Sequence, residues 1–107
     1  MLTSDEITEI VARVAARLRP QKVILFGSYA KGAATARSDL DLFVIQQTPL
    51  PPERRASSVT PLLATVPVRV DIHIYTPEEV ESYAREPFSF VNSVLVSGRT
   101  MYEQEYS

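Results

Sequence analysis

The sequence predicts a small α/β or α+β domain in which one mixed sheet is flanked by helices. A continuously apolar run at residues 23–26 is typical of a strand that is buried on both faces. Residues 68–75 alternate between apolar and polar side chains, which is the pattern of a strand with one apolar and one polar face. Helical patterns that begin at capping motifs or prolines lie between the strands. The 107 residues carry no internal repeat, so we expect one domain, 1–107.

Composition argues against several classes of protein. The formal net charge is −2 and the 11 basic residues are scattered, which argues against a protein that coats nucleic acid. The chain has no cysteine, so disulfides and thiolate metal sites are excluded. No apolar run is long enough to span a bilayer, and the N-terminus reads as an amphipathic helix and not as a signal peptide. We therefore expect a cytoplasmic protein without membrane segments.

The N-terminal helix is predicted over Ser4–Leu18. Thr3 and Glu6 have the spacing of a capping box, and Pro20 stops the helix. Apolar residues recur between them at steps of three and four, which gives the helix one face for packing. These residues are Ile7, Ile10, Val11, Val14, Ala15 and Leu18.

Two strands with a turn between them follow. The first strand is predicted at Val23–Phe26, and Gly27 breaks it. Ser28 is expected to cap a short helix that ends near Gly32. After a loop, the second strand is predicted at Asp39–Ile45. Its alternation places Asp39, Asp41 and Phe43 on one face and Leu40, Leu42 and Val44 on the other.

The next segment is predicted as a helix and a strand. The helix is predicted over Glu53–Ala64, although Pro61 is expected to end it early or to kink it. The third strand covers Val68–Tyr75. A second capping box at Thr76–Glu79 begins a helix that ends near Arg85.

The last segment is predicted as a helix followed by an edge strand. The helix starts at Pro87 and is capped by Gly98, and the strand covers Arg99–Glu103. Phe88 and Phe90 cannot face the same side of that helix. Either one of them is exposed as part of an interface, or the start of the helix is tucked against the sheet.

Carboxylates on the strands are the first candidates for chemistry. Asp39 and Asp41 leave the same face of their strand, and Asp71 is the other carboxylate on a predicted strand. If the two strands pair, three like charges converge, and this arrangement is costly unless cations neutralise them. Oxygen ligands suit magnesium, and two such ions can clamp an in-line displacement at phosphorus. His73 shares the face of Asp71, and its role stays open.

The Gly27–Ser28 turn is the second candidate. Glycine lets the backbone approach a ligand, and amides that open a helix attract anions. Ser28 adds a hydroxyl and Lys31 adds a mobile positive charge. Together they predict a seat for the β- and γ-phosphates of a nucleoside triphosphate. The spacing is not that of a Walker A loop. Taken singly, a Gly-Ser turn or an Asp-x-Asp pair is more often only a turn or a solvated strand end.

The two candidates together resemble the signature of the DNA polymerase β-like nucleotidyltransferases. The residues are Gly-Ser-Tyr-Ala-Lys-Gly at 27–32 and Ser-Asp-Leu-Asp-Leu at 38–42. The short chain, Asp71 between two apolar residues and the closing segment 98–103 resemble the minimal members, the MntA-like antitoxins. The resemblance covers most of the chain.

The resemblance implies the polymerase β-like nucleotidyltransferase fold, with the active site at one end of the sheet. It implies that Asp39 and Asp41 ligate two Mg²⁺ ions. Asp71 would ligate the catalytic ion and help to deprotonate the acceptor hydroxyl.

The same resemblance implies the substrates. Gly27 and Ser28 would hold the triphosphate of ATP, and Lys31 stands where many members carry arginine. In minimal members the acceptor is often another protein, commonly a helical HEPN ribonuclease encoded next door. The implied role is that of an antitoxin, which transfers AMP (AMPylation) to a tyrosine of that toxin.

Two other functions stay open at this point. A small-molecule nucleotidyltransferase would act on an acceptor such as an aminoglycoside, although the sequence offers no second domain to hold one. A non-catalytic antitoxin would only cover its partner. Stoichiometry distinguishes the non-catalytic antitoxin from an enzyme. A binder neutralises its partner one for one, whereas a catalyst works when it is substoichiometric to its partner.

Overall fold

The structure, a computed structural model, describes residues 1–105. It contains four strands: β1 (Lys22–Phe26), β2 (Leu40–Ile45), β3 (Val70–Tyr75) and β4 (Arg99–Glu103). It also contains four α-helices: α1 (Ser4–Leu18), α2 (Thr60–Leu63), α3 (Pro77–Ala84) and α4 (Phe90–Ser97). The strands form one mixed sheet in the order β3-β2-β1-β4. β1 is antiparallel to β2 and β4, whereas β2 and β3 are parallel. The predicted class is therefore confirmed.

β2 is the centre of two apolar layers. Its alternation is as predicted, with Leu40, Leu42 and Val44 in the layer under α1 and with Phe43 in the layer under α4. All four side chains are fully buried. The apolar face of α1 closes the first layer, and Val91 and Val94 of α4 close the second. A strand that is covered on both faces holds its register firmly, because a slip by one residue would exchange its two faces.

Both predicted capping boxes are present. At the start of α1, the Glu6 backbone N–H donates to Thr3 Oγ1 at 3.1 Å and the Thr3 N–H donates to Glu6 Oε1 at 2.8 Å. At the start of α3, Thr76 and Glu79 make the same pair of bonds at 2.8 and 3.2 Å. Each box satisfies two amides that the helix itself leaves without partners.

The short helix predicted after Ser28 is wrong. Residues 28–32 form turns instead. Gly27 and Gly32 both have positive φ, +75° and +69°, so the backbone enters and leaves this segment in left-handed conformations. The N–H groups of Ala30 and Lys31 both donate to the Gly27 carbonyl, and no further turn of helix follows.

The helix predicted over Glu53–Ala64 is also wrong. A 3-10 turn at Pro52–Arg54 and further turns occupy its first half, and α2 begins only at Thr60. Pro61 is the reason, because it has no N–H to donate inside a continuous helix. In the first turn of α2 no such bond is required, so Pro61 is accommodated there.

The boundaries near the C-terminus also differ from those predicted. α4 begins at Phe90 and not at Pro87, because Ser89 caps it by accepting from the Asn92 N–H at 3.0 Å. Gly98 ends the helix as predicted, but with a φ of −77°. Glycine is needed there for space, since a Cβ would collide with the side chain of Ile24. Within residues 1–105, no helix has both the length and the apolar character needed to cross a membrane.

Candidate active site

The register of the sheet brings the three predicted aspartates to one end. The parallel pairing of β2 with β3 places Asp41 directly beside Asp71. Asp39 lies two residues earlier, just before β2 begins. On the other side of Asp41, the antiparallel partner is Phe26, the last residue of β1. The structure thus gathers Asp39, Asp41 and Asp71 where β2 and β3 start and β1 ends.

Asp41 is the central carboxylate of this group. Partial burial raises its pKa above the ordinary aspartate value, and the neighbouring charges of Asp71 and Asp39 raise the pKa further. His73 acts in the opposite direction on the same pKa. The fold therefore holds several acidic groups close together at an energetic cost, which a bound cation would remove.

The donor set at this end fits magnesium. Three carboxylates offer only hard oxygen atoms, which Mg²⁺ prefers. Among residues 1–105, however, no three or more His, Asp or Glu side chains lie close enough together to hold a metal ion. Asp71 Oδ1 instead accepts from Arg69 Nε at 3.0 Å. Magnesium at such sites is usually held by one or two carboxylates together with substrate phosphates and water, so the arrangement suits an ion that binds with a nucleotide.

Gly27 brings the turn into contact with the aspartates. Its φ of +75° favours glycine, and a Cβ built on it would collide with Asp41 Oδ2 and lie 3.1 Å from Asp41 Cγ. The backbone of the turn therefore lies directly against the Asp41 carboxylate. Ser28 is half-buried and Lys31 is exposed at the same turn. Tyr29 ties the turn to the N-terminus, because its hydroxyl accepts from the Leu2 N–H at 3.0 Å.

An aromatic cluster lies behind the aspartates on the same face of the sheet. The ring of Phe90 is 5.5 Å from that of Phe26 and 5.2 Å from that of His73, measured between centroids. Phe26 and His73 are themselves 5.7 Å apart. Alternation predicted that His73 shares the face of Asp71. The start of α4 is tucked against the sheet at Phe90, which was one of the two alternatives predicted for Phe88 and Phe90. The contacts of Phe90 with Phe26 and His73 were not predicted, because they depend on where α4 begins.

A partly buried ion pair lies at the outer edge of β3. The Arg55 side chain, only 8% exposed, donates to the two carboxylate oxygens of Glu79 at 2.7 and 3.3 Å. It also donates to the carbonyls of Ile74 at 3.1 Å and Leu50 at 2.9 Å. The hydrogen bonds that Glu79 accepts, first those from Arg55 and then that from the Thr76 N–H, lower the pKa of Glu79. Sequence reasoning missed the pair, because it placed Arg55 on a helix that does not form.

The family of this chain follows from its similarity to a known domain family. Residues 7–99 match the nucleotidyltransferase domain family. The chain belongs to that family. The match spans the Gly27 turn and all three aspartates, and it confirms the prediction of a nucleotidyltransferase enzyme. No curated protein sequence matches this nucleotidyltransferase.

Solved structures share the fold of this nucleotidyltransferase. A toxin–antitoxin crystallised with AMP-PNP aligns with a TM-score of 0.66 and 20% identity, over 92% of this chain and 74% of the other. A protein from Sulfolobus solfataricus assigned as a nucleotidyltransferase aligns at 0.63 and 19%, over 94% and 80%. A mutant of the MntA-HpeT toxin–antitoxin aligns at 0.59 and 19%, over 97% and 75%. At these identities the likeness establishes the polymerase β-like fold.

Proposed function

We propose that this nucleotidyltransferase transfers AMP from ATP to a hydroxyl of a partner protein and thereby acts as an antitoxin. The partner is a HEPN-type ribonuclease toxin encoded nearby, and the acceptor is a tyrosine, as the family resemblance implies. The observation that carries the proposal is the pairing of Asp41 with Asp71 beside the Gly27 turn. Two of the similar structures are toxin–antitoxins, one of them with AMP-PNP, which supports this role. Residues 1–107 would act as one cytoplasmic domain.

The proposed cofactor is a pair of Mg²⁺ ions. Asp39 and Asp41 would hold both ions, and Asp71 would hold the catalytic one. When bound, magnesium neutralises charge on the phosphates and activates the acceptor oxygen. The pKa of Asp41 is raised first by burial and then by the charges of Asp71 and Asp39, and this supports the assignment, since a cation favours the ionised carboxylate.

The proposed transfer is a single displacement at phosphorus. The acceptor oxygen forms a bond to the α-phosphorus of ATP, and the bond from that phosphorus to its bridging oxygen breaks. Pyrophosphate leaves with the electron pair, and the hydroxyl proton passes to a carboxylate oxygen of Asp71. Gly27 and Ser28 hold the triphosphate, and Lys31 meets its negative charge.

Intact-mass spectrometry of the partner tests the proposal. The protein is incubated with ATP, magnesium and the product of the neighbouring gene, beside an Asp39→Asn, Asp41→Asn double variant as control. We expect a mass gain of one or more AMP units that is absent with the control. A stable complex without any mass gain would favour a non-catalytic antitoxin. AMP transfer to an aminoglycoside such as kanamycin, and not to the protein, would favour a small-molecule enzyme.

A further inference from the structure

One of the three candidate aspartates already holds a cation from its own chain. Arg69 Nε donates to Asp71 Oδ1 at 3.0 Å. The two residues lie two positions apart at the start of β3, where an extended chain directs both side chains to one face. The guanidinium of Arg69 therefore occupies an oxygen atom of the carboxylate that the proposed function assigns to magnesium.

The strands are paired for a shared site, but the side chains do not yet converge. The register sets the backbone of Asp41 beside that of Asp71. Even so, in the part of the chain that the structure describes, no three acidic or histidine side chains are close enough to hold a metal ion. With the strands already paired, a change in side-chain position is the step that remains.

The Arg69–Asp71 pair can open at low cost. The side chain of Arg69 is 75% exposed and that of Asp71 is 30% exposed, and pairs with such exposure are weak because water solvates both partners. Arginine does not lose its proton in proteins, so the guanidinium stays charged at any working pH. A divalent cation on Asp71 Oδ1 would repel a guanidinium about 3 Å away. The ion pair and a metal on that oxygen therefore exclude each other.

The backbone of Arg69 is fixed although its side chain is free to move. The Leu40 N–H donates to the Arg69 carbonyl at 2.9 Å. Leu40 is fully buried, and it stands between the other two candidate aspartates in sequence. The positive charge of Arg69 is therefore retained at this end of the sheet when the pair opens.

We propose that Arg69 holds Asp71 in the metal-free enzyme and is displaced from it when the catalytic Mg²⁺ binds. The inference rests on the proposed AMP transfer, because it takes Asp71 as a ligand of that ion. Arg69 is a positioning residue, since it acts through Asp71. It compensates the charge of Asp71 beside Asp41 until the ion arrives. Arg69 competes with the ion for Asp71 and so lowers the affinity of the enzyme for metal.

Binding of Mn²⁺ without nucleotide tests the competition. Electron paramagnetic resonance measures the free ion during a titration with protein. Arg69→Ala should bind Mn²⁺ about threefold to fivefold more tightly than the wild type, because an exposed ion pair contributes up to about that factor. Arg37→Ala is the matched control, since it also removes an exposed cation, from the loop that precedes Asp39. It should change the Mn²⁺ affinity by less than about twofold, because water and salt screen a charge that makes no direct contact.

A double-mutant cycle assigns the effect to the contact. Asp71→Asn keeps the shape of the side chain but removes the charge that attracts Arg69. In the Asp71→Asn background, Arg69→Ala should leave the Mn²⁺ affinity within about twofold. Equal gains from Arg69→Ala in both backgrounds would overturn the inference, because Arg69 would then act as a general positive charge. Equal Mn²⁺ affinities of Arg69→Ala and the wild type would overturn it as well.

Nitrogen NMR of the arginine side chains gives a second measurement that does not depend on catalysis. The Arg69 Nε–H signal, identified by its absence in Arg69→Lys, should shift when Mg²⁺ is added. The Arg55 Nε–H, which donates to the Leu50 carbonyl at 2.9 Å, should not shift. An unchanged Arg69 signal at saturating Mg²⁺ would overturn the inference and leave AMP transfer standing. Release of Arg69 by Mg²⁺ without AMP transfer to the partner would refute the proposed function and leave the competition standing.

Discussion

Gly27 and Asp41 occupy adjoining space that no side chain at residue 27 can share. The Oδ2 atom of Asp41 lies too close to the position of a Cβ on residue 27 for both atoms to be present, and the φ of +75° at Gly27 independently disfavours any other residue. The turn and the strand are 14 positions apart in sequence, yet each constrains the other. The same glycine thus sets both the conformation of the turn and the position of a candidate ligand.

Replacing Gly27 by alanine should damage both stability and activity. A left-handed conformation costs about 1 kcal/mol for a residue with a Cβ, and displacing Asp41 adds to that cost. Gly32→Ala is the matched control, because Gly32 has a φ of +69° but has open space around its Cβ position. We expect Gly32→Ala to lose about 1 kcal/mol in urea unfolding and to keep AMP transfer. Equal losses of activity from both variants would contradict the contact with Asp41.

Replacing Asp41 by asparagine should stabilise the fold while abolishing transfer. The pKa of Asp41 is raised, so the ionised carboxylate is less favourable in the folded chain than in the unfolded chain. That penalty is present at neutral pH and disappears as the pH falls through the raised pKa. In EDTA at pH 7 we expect Asp41→Asn to melt a few degrees above the wild type, with the gap closing in acid.

Magnesium serves as the control for the Asp41→Asn comparison. Added with ATP, it should stabilise the wild type more than the variant, because the wild type alone keeps all three carboxylates. A variant that melts below the wild type at pH 7 in EDTA would show that the ionised carboxylate is not destabilising.

Breaking the Arg55–Glu79 pair should be strongly destabilising. Glu79→Ala leaves a buried guanidinium without its counter-charge and removes a member of the α3 capping box, at a cost of about 3 kcal/mol. Glu81→Ala is the matched control, since it breaks an exposed pair with Arg85 that is worth about 0.5 kcal/mol. Urea unfolding measures both. Similar small losses would mean that Arg55 finds other partners.

The pH dependence of stability should follow Glu79 as well. Because hydrogen bonds from Arg55 lower its pKa, the folded chain favours the ionised form. The stabilisation is complete above the ordinary glutamate pKa and is lost as the pH falls through the lowered value. Glu79→Gln should therefore flatten the acid limb of a stability–pH curve measured by thermal unfolding. An unchanged acid limb would assign that limb to other carboxylates.

Removing the charge of Lys31 should weaken ATP binding. A charged donor to phosphate is worth about 1.5 kcal/mol, so Lys31→Ala should raise the KM for ATP about tenfold, with less effect at high salt. Arg37→Ala is the control, because Arg37 is an exposed cation in the loop that precedes Asp39. The KM for ATP, measured by initial rates, should change for Lys31→Ala alone.

Local patterns in the sequence determined most elements. The stripe of α1, the two capping boxes and the alternation of β2 and β3 depend only on neighbours along the chain. These patterns placed Asp39 and Asp41 on one face of the second predicted strand. They placed Asp71 and His73 on one face of the third. The predictions failed at residues 28–32, 53–64 and 87–89, where left-handed glycines, Pro61 and the cap at Ser89 set the boundaries.

Tertiary structure alone decided which faces meet. The parallel pairing of β2 with β3 in register sets Asp41 beside Asp71, and no local pattern specifies a pairing between strands 30 residues apart. The contacts of Arg55 with Glu79 and of Phe90 with Phe26 are likewise long-range. The sequence by itself thus determined which residues are candidates for the chemistry, because residue type and periodicity are local properties. Their assembly into one site was decided by packing, because the burial of both faces of β2 selects a single register.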